Sequence, residues 1–299
     1  CNRHSVPLYF QPWWLDAACG PEHWGACVAT DRGGAVTGLL PYHLKKRMAL
    51  PFVQMPPLTP YSGPLFFYPD HPDRRPYSQY TFEKKVSESL IAQLPRSVLF
   101  RQHFRPEVAN WLAFQQAGFR QTTRYTFVIH TADKSIEELA QQMKSSVRNH
   151  VKNARQHLAV TVENDAAPDL FNRFCRHLRQ KNLPPPCALP VFLRLHEAAT
   201  AREQALCFVV RDPLSRGVQA GLYLTLEPRR AGVLWSVVTP EGRATGALTL
   251  LLWAAVSTAR QSGRTLDLEG SMDPGVEHLY RSLGGRMTPY FRVWKSLNW

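Results

Sequence analysis

The chain lacks several features that would mark a membrane, zinc or hydrolytic protein. No apolar run in its 299 residues approaches the ~18 residues needed to cross a bilayer. The N-terminus shows no basic segment followed by an apolar one, so a signal peptide is not expected. The six cysteines form no C-x-x-C pair and have no histidine cluster beside them, so no metal site is expected. A G-x-S-x-G motif is also missing, which argues against a hydrolase triad.

Acidic residues are few compared with basic ones. The 23 Asp and Glu face 36 Lys and Arg, giving a formal net charge of +13. This excess favours a polyanionic partner such as nucleic acid, a phosphate-rich co-substrate or an anionic membrane surface; a generally basic exterior is the alternative. Scattered cysteines suit a reducing compartment, so we expect a cytoplasmic protein, with a peripheral position at the inner membrane face as an option.

The two halves of the chain repeat one order of elements. A short strand (SVLFR), a helix from Pro106 closed by glycine, and the strand Thr123–Val128 recur as TLDLE, a helix from Pro274 and the strand Thr288–Val293. Earlier in each half, two β-rich runs flank a turn, DRGG or DPLSRG. The repeat predicts an α/β (mixed α+β) fold of two tandem lobes, residues 1–132 and 133–299. Each lobe is expected to be a mixed, mostly antiparallel sheet flanked by helices.

A strand, a turn and a helix in the second half form a candidate anion site. The strand ends at Val238, the glycine-bearing turn Pro240–Gly246 follows, and an apolar helix begins. The first N–H groups of a helix have no intrahelical partner and carry partial positive charge, so they can bind phosphate. The predicted cofactor-binding residues are Val237, Val238, Thr239, Arg243, Ala244, Thr245, Gly246 and Ala247. A plain strand-to-helix turn capped by Thr245 or Gly246 is the alternative.

The segment Arg243-Ala-Thr-Gly-Ala resembles the acyl-CoA pyrophosphate loop of the GNAT acyltransferase superfamily, R/Q-x-x-G-x-G/A, with Leu248 at the last position. The doubled lobes, the basic segment KSSVRNHVKNARQH and the ending LDLEGSM…PG…RSLGG…PYFRV are similar to the FemAB-like branch, which includes peptidoglycan aminoacyltransferases. The resemblance implies paired GNAT-like lobes, acyl transfer to an amine in the second lobe, and the acceptor in a channel between lobes. The first lobe has no glycine before its helix, so its donor site is expected to be degenerate and its role to be on the acceptor side.

Two acids alternate with leucines near the C-terminus and are the candidate catalytic carboxylates. Asp267 and Glu269 lie on one face of a strand that is expected to end at Gly270. In a GNAT-like lobe this strand diverges from the one before the donor helix. Glu269 is then the first candidate to take a proton from the acceptor ammonium, and Asp267 the second. A salt bridge to an arginine such as Arg281, Arg286 or Arg292 is the alternative.

Tyrosines, a proline-rich segment and a basic row complete the predicted site. Tyr290 and Tyr280 are candidate proton donors to the leaving thiolate, with core packing as the alternative. Pro56–Phe67 resembles a segment that lies beside the acceptor in the related enzymes, although a rigid surface loop would read the same way. Lys144, Arg148, Lys152 and Arg155 share one helix face that would hold an acceptor phosphate, tRNA or acidic lipid, or would simply be solvated. The predicted substrate-binding residues are Tyr61, Ser62, Gly63, Arg148, Lys152 and Ser271.

These features predict a metal-independent N-acyltransferase. It would transfer an acyl group from acyl-CoA or an acylated carrier protein to the amine of an amino-sugar, amino-acid or lipid or cell-envelope precursor. Backbone N–H groups near Val238 would stabilise the oxyanion. One alternative is an aminoacyl-tRNA-dependent peptidoglycan aminoacyltransferase, and another is a non-catalytic binding module of the same fold.

Overall fold

The computed structural model describes residues 6–69, 75–270 and 273–296 and divides into two compact units. The first unit comprises Cys1–Arg124 and Pro289–Trp299, and the second comprises Tyr125–Thr288. The predicted boundary, between residues 132 and 133, therefore lies inside the second unit. The prediction also left the chain's last strand in the second lobe, whereas the end of that strand pairs with a strand of the first unit.

The strands of the described residues come in two sets separated by a helical stretch. In chain order they are β1 (Trp24–Thr30), β2 (Val36–Arg47), β3 (Leu50–Gln54), β4 (Leu65–Phe66), β5 (Leu99–His103), β6 (Arg120–Ile129), β7 (Val160–Val162), β8 (Ala205–Arg211), β9 (Val218–Leu226), β10 (Arg230–Val238), β11 (Thr265–Asp267) and β12 (Arg286–Ser296).

The helices begin at proline or at a polar cap in several cases, as expected for first-turn positions. They are α1 (Pro12–Cys19), α2 (Pro76–Ala92), α3 (Leu112–Gln116), α4 (Ile136–Gln142), α5 (Ser145–His157), α6 (Ala167–Gln180), α7 (Leu189–Thr200), α8 (Pro240–Ala244), α9 (Ala247–Gln261) and α10 (Pro274–Ser282). Within the ranges that the structure describes, none of them has the length and apolar character of a membrane span.

The first unit is a mixed sheet with β1, β2, β3, β5 and β12 in order and β4 paired to β2. β1 and β2 form the predicted antiparallel hairpin, whose turn is held by Asp31: its side chain accepts the N–H groups of Gly33 and Ala35 at 2.9 Å. β3 and β5 are parallel, and α2 lies between them in the chain. Val86 and Leu90 of α2 belong to the apolar core on one face of this sheet.

The second unit has the strand order β6, β11, β10, β9, β8, β7. β8, β9 and β10 are antiparallel, whereas β10 and β11 are parallel with α9 between them in the chain. α9 and α5 contribute to an apolar core with Leu224, Val233 and Leu266. On the other face, α6 and α7 pack their aromatic rings against Trp235 of β10.

The predicted fold class is confirmed, and so is the repeated order of elements: β5, α3, β6 in one half and β11, α10, β12 in the other. One predicted helix is much shorter than expected, because α3 starts at Leu112 rather than near Pro106. Asn110 Oδ1 accepts the N–H of Leu112 at 3.4 Å, and such local side-chain bonds compete with helical pairing. The apolar spacing predicts one helix or two abutting helices from Ser135 to His157, and the structure has two, α4 and α5.

Candidate functional site

The candidate site of the second unit lies where β10 and β11 part. The two strands pair at only three positions: Arg230 with Thr265, Ala231 with Leu266, and Gly232 with Asp267. β11 then ends, whereas β10 continues to Val238. Beyond Gly232, the edge of β10 that faces away from β9 therefore offers its backbone groups to something other than β11, as expected for a cleft that binds an extended ligand.

A β-bulge interrupts β10 just past the point of divergence. Val233 pairs with Leu224 of β9 and Trp235 pairs with Tyr223, so Leu234 is an extra residue in the ladder. A bulge leaves its extra residue outside the regular pairing and redirects the strand. The predicted oxyanion position near Val238 is regular by comparison, because Val238 pairs with Ala220. Leu234 is thus the better candidate for an N–H group that meets a carbonyl oxygen, and the sequence gives no signal of it.

Asp267 is fully buried in a network of hydrogen bonds. Its Oδ1 accepts the hydroxyl of Thr126 at 2.5 Å and the N–H of Glu269 at 2.8 Å, and its Oδ2 accepts Nη1 of Arg230 at 3.0 Å. The ion-pair alternative for this acid is therefore what the structure shows, although the partner is Arg230 rather than any of the predicted arginines. Through these contacts Asp267 holds Thr126, Arg230 and the backbone of Glu269 in position.

Glu269 follows the strand instead of belonging to it, because β11 ends at Asp267 and not at Gly270. Its φ of 49° is rare for a residue with a side chain and often marks functional sites. This turn brings the carboxylate directly over Gly232 of β10: a Cβ at that position would overlap Glu269 Oε1. Gly270 donates its N–H to the Thr126 hydroxyl at 2.9 Å, and this hydrogen bond helps to hold the turn at Glu269 in place.

Tyr280 of α10 is a tyrosine whose pKa is affected by the charges of these two acids. Burial, and then the charges of Glu269 and Asp267, raise the pKa of its phenol well above the ordinary value. The phenol is therefore protonated at neutral pH and can donate a hydrogen bond or a proton near Glu269.

The turn predicted to hold an anion is more regular than expected. Residues Pro240–Ala244 form the short helix α8, capped by Thr239, whose hydroxyl accepts the N–H of Gly242 at 3.0 Å. Gly242 packs on the backbone of Gln219, and Thr245 donates its hydroxyl to Oε1 of Gln219 at 2.7 Å. The segment is thus a packed helical turn, in which the hydroxyls of Thr239 and Thr245 form hydrogen bonds to neighbouring groups.

The start of α9 nevertheless remains partly accessible. Gly246 has a left-handed φ of 78°, and the first helical hydrogen bond runs from Leu250 N to Gly246 O at 3.0 Å. Ala247 is fully buried, whereas Arg243, Ala244 and Thr245 are exposed and the residue after Ala247 is half-buried. Burial, followed by the charges of Lys181 and Arg243, lowers the pKa of His177, so both cations lie close to it.

Two further predicted residues, Tyr61 and Tyr290, meet in the first unit. Their rings are 5.3 Å apart, and the Tyr290 hydroxyl accepts Nε of Arg124 at 3.1 Å. Tyr290 thus belongs to the first unit, whereas Glu269, another predicted catalytic residue, belongs to the second. Ser62 and Gly63 are buried: Ser62 donates its N–H to His103 O at 2.7 Å, and Gly63 packs on Phe104.

The remaining predicted contacts are at the surface or outside the description. Arg148 and Lys152 are exposed on α5, in a row with Lys144 and Arg155. Ser271 lies outside the described residues. Within the described ranges, no three His, Cys, Asp or Glu side chains are grouped so that they could hold a metal ion.

Comparison with known proteins bears on the fold of the chain. Residues 141–278 match the family model described as acetyltransferase (GNAT) domain. Among solved structures, FemX has 12% identity and a TM-score of 0.67, covering 97% of this chain and 93% of its own. No curated protein sequence matches the chain.

Two further structures share the fold. A tandem GNAT protein from the clavulanic acid biosynthesis pathway has 14% identity and a TM-score of 0.52, with 97% of both chains covered. The C-terminal domain of a protein described as a lysylphosphatidylglycerol synthetase, from Agrobacterium fabrum, has 12% identity and a TM-score of 0.54, with 98% and 88% covered.

The class of protein follows: the second half of the chain carries a GNAT domain. More particularly, the whole chain has the fold of FemX and of a tandem GNAT protein, which is the fold that the predicted resemblance implies.

Proposed function

We propose that the protein is an acyltransferase that moves an acyl group from an activated donor to an amine, with the chemistry in the second unit. The observation that carries this proposal is the position of the Glu269 carboxylate over Gly232, where β10 and β11 part, beside the bulge at Leu234. Attack of an amine on an acyl carbonyl needs a proton acceptor for the ammonium and a hydrogen-bond donor for the developing oxyanion. Glu269 and the N–H of Leu234 meet these two needs.

The balanced reaction assigns one role to each group. Glu269 takes a proton from the acceptor ammonium, and the neutral amine attacks the donor carbonyl, whose oxygen accepts the N–H of Leu234. An N–C bond forms and the bond from the acyl carbon to sulfur or oxygen breaks. The attacking nitrogen also gives up its second proton, which passes to the leaving thiolate or alkoxide, and the neutral phenol of Tyr280 is the group we propose to relay it. Asp267 acts through the backbone of Glu269 and does not touch the substrate.

A thioester, acyl-CoA or an acylated carrier protein, is the donor we propose first. The donor arm would follow the free edge of β10 toward Val238, and its anionic end would lie near the start of α9 with Arg243. The amine acceptor would be an amino-sugar, an amino acid or a lipid or cell-envelope precursor. An envelope substrate gains support from the lysylphosphatidylglycerol synthetase relative, whose name describes a lipid product. Such a role would place the protein in the cytoplasm or at the inner membrane face.

A second candidate is transfer from aminoacyl-tRNA. Two observations favour it: the phosphate loop is folded into α8, and α5 presents an exposed basic row that includes Arg148 and Lys152. Backbone phosphates bind such rows with a strong dependence on salt.

Thermal shift measurements separate the two donors. We would compare acetyl-CoA, a long-chain acyl-CoA, an acylated carrier protein and charged tRNA, and repeat each with Arg243→Ala. A donor at 100 times its Kd raises the unfolding free energy by about 2.7 kcal/mol, which is readily detected. Stabilisation by a thioester that Arg243→Ala weakens supports the first proposal, and stabilisation by charged tRNA alone supports the second. Stabilisation without turnover of any amine would indicate a binding module.

A further inference from the structure

The first unit contains a cavity lined by arginines that none of the chemistry above uses. Its volume is about 310 Å³, and it lies at the ends of β3 and β5. The lining residues are Gln54, Met55, Arg101, His103, Arg124 and Arg292. Because about 10–15 Å³ of such volume is enough for one water molecule, this space accommodates a phosphoryl group with part of its hydration.

Strand register brings the basic side chains to one face. Arg292 of β12 pairs with His103 of β5, and Arg101 lies two residues before His103 on the same strand. Side chains alternate along a strand, and directly opposed residues are neighbours on one face. Phe100 and Val293, which are next to Arg101 and Arg292 in their strands, point into the apolar core with α2. The basic face is thus the one that turns away from α2.

The arginines of this cavity have no ion-pair partner in the part of the chain that the structure describes. Within the residues that the structure describes, no carboxylate forms an ion pair with Arg101, Arg124 or Arg292. Burial, then the charges of Arg101 and Arg124, lower the pKa of Arg292. Burial, then Arg124, Arg292 and Arg101, lower the pKa of His103 to about 4, so this imidazole is neutral at pH 7. Three crowded cations repel one another, and an anion among them would remove that cost.

Neighbouring aromatic and sulfur groups hold the cavity walls in place. The Tyr290 ring lies 5.8 Å from His103, and its hydroxyl accepts Nε of Arg124 at 3.1 Å. The N–H of His103 points at Sδ of Met55, 3.2 Å away. Binding groups fixed in this way lose little entropy when a ligand arrives.

We propose that this cavity of the first unit is a binding site for a phosphate or diphosphate group, held by the guanidinium groups of Arg101, Arg124 and Arg292. Guanidinium forks match phosphate oxygens in a bidentate manner, and a charge near +3 suits a dianion or trianion better than a single carboxylate. The neutral imidazole of His103 offers a further polar contact. The group would be carried by a soluble metabolite or by a lipid head group. The inference does not depend on the proposed transferase activity, because binding is measured without turnover.

Isothermal titration of the whole protein with inorganic pyrophosphate, and with glycerol phosphate, tests the soluble source. Sedimentation with vesicles of phosphatidylglycerol in phosphatidylcholine, against phosphatidylcholine alone, tests the lipid source. Each measurement is repeated with Arg292→Gln and with Arg101→Gln. The matched control is Arg32→Gln, an exposed arginine of the first unit in the turn between β1 and β2.

We expect saturable binding that Arg292→Gln and Arg101→Gln each weaken about tenfold or more, whereas Arg32→Gln leaves it unchanged. Because removing one crowded cation relieves repulsion, the free Arg292→Gln protein should melt no lower than wild type. Binding by either source with this pattern supports the proposal and identifies the carrier. Binding that survives both substitutions, or no binding of any probe, overturns it.

Discussion

The two units place opposite charges at corresponding positions of their sheets. In the second unit, β10 and β11 are parallel strands joined through α9, and the face away from that helix carries Asp267 and Glu269. In the first unit, β3 and β5 are parallel strands joined through α2, and the face away from that helix carries Arg101 and His103. One topology thus presents a carboxylate in one copy and a cationic cavity in the other.

The difference shows how a duplicated fold can divide its work. In the second unit β10 runs on past β11 and keeps a bulge at Leu234. In the first unit the segment after β3 returns to β5, because Ser62 bonds to His103 and bridges to Phe104. The edge of β10 that we propose for the donor extends past β11, whereas the corresponding edge of the first unit is covered by the chain itself. The shared fold alone therefore does not determine function, which depends on the side chains at the site and on whether the strand edge is accessible.

The largest effect is expected from removing the charge of Glu269. Glu269→Gln keeps the size of the side chain but cannot accept a proton, so we expect kcat/KM to fall by about 100-fold to 10,000-fold. Steady-state assays with the donor selected by thermal shift measure this. Glu203→Gln, an exposed acid of the same unit, is the control and should retain full activity. Equal rates for wild type and Glu269→Gln would remove Glu269 from the mechanism.

Asp267→Asn tests the network that supports Glu269. The substitution leaves Arg230 without its buried partner, and breaking such a pair costs about 3 kcal/mol or more in unfolding free energy. Urea unfolding of wild type and variant gives the difference. A loss below about 1 kcal/mol would mean that the network is not as buried as the structure shows.

Gly232→Ala tests the close approach of β10 and Glu269. The added methyl group overlaps the carboxylate, so the side chain must move, and overpacking costs about 2 kcal/mol. Activity should fall together with stability. Gly217→Ala is the control, because a Cβ there meets only Ser215 Oγ at 3.3 Å. The same small effect from both substitutions would place Glu269 away from Gly232.

The smallest expected effect is a pH dependence that belongs to the first unit. The folded pKa of His103 is lowered to about 4, so the unfolded chain, with an ordinary value near 6.5, binds more protons at acidic pH. The stability that this histidine contributes is complete above about pH 6.5 and is lost as the pH falls toward 4. We expect about 1–2 kcal/mol of this loss to disappear in His103→Gln when urea unfolding is compared at pH 7.5 and 4.5. His130→Gln, at an exposed position, should keep the wild-type slope.

Much of the fold could be predicted because the pattern of elements repeats. The hairpins, the parallel crossover helix α9 and the order of β11, α10 and β12 all follow from apolar periodicity and turn residues. The boundary between the units could not be predicted, because β6 and β12 each run across it. Only the pairing of β12 with β5 shows that the end of the chain returns to the first unit.

Less of the candidate site than of the fold could be predicted from the sequence. Glu269 is predicted as a site residue because it follows an apolar strand before glycine. Its turn, however, depends on hydrogen bonds to Asp267 and Thr126 that no sequence motif indicates. The helix α8 had a readable signal: Thr239 followed by Pro240 is a typical cap and first-turn pair. The bulge at Leu234 and the arginine cavity arise from register alone.

We propose that an acyl carbonyl binds at the bulge of β10, facing Glu269. A crystal structure with an unreactive analogue of the selected donor would show where the carbonyl lies. We expect the carbonyl oxygen about 3 Å from Leu234 N, with the carbonyl carbon open to an amine on the side of Glu269. A donor bound away from the divergence of β10 and β11, with Leu234 N unused, would contradict it.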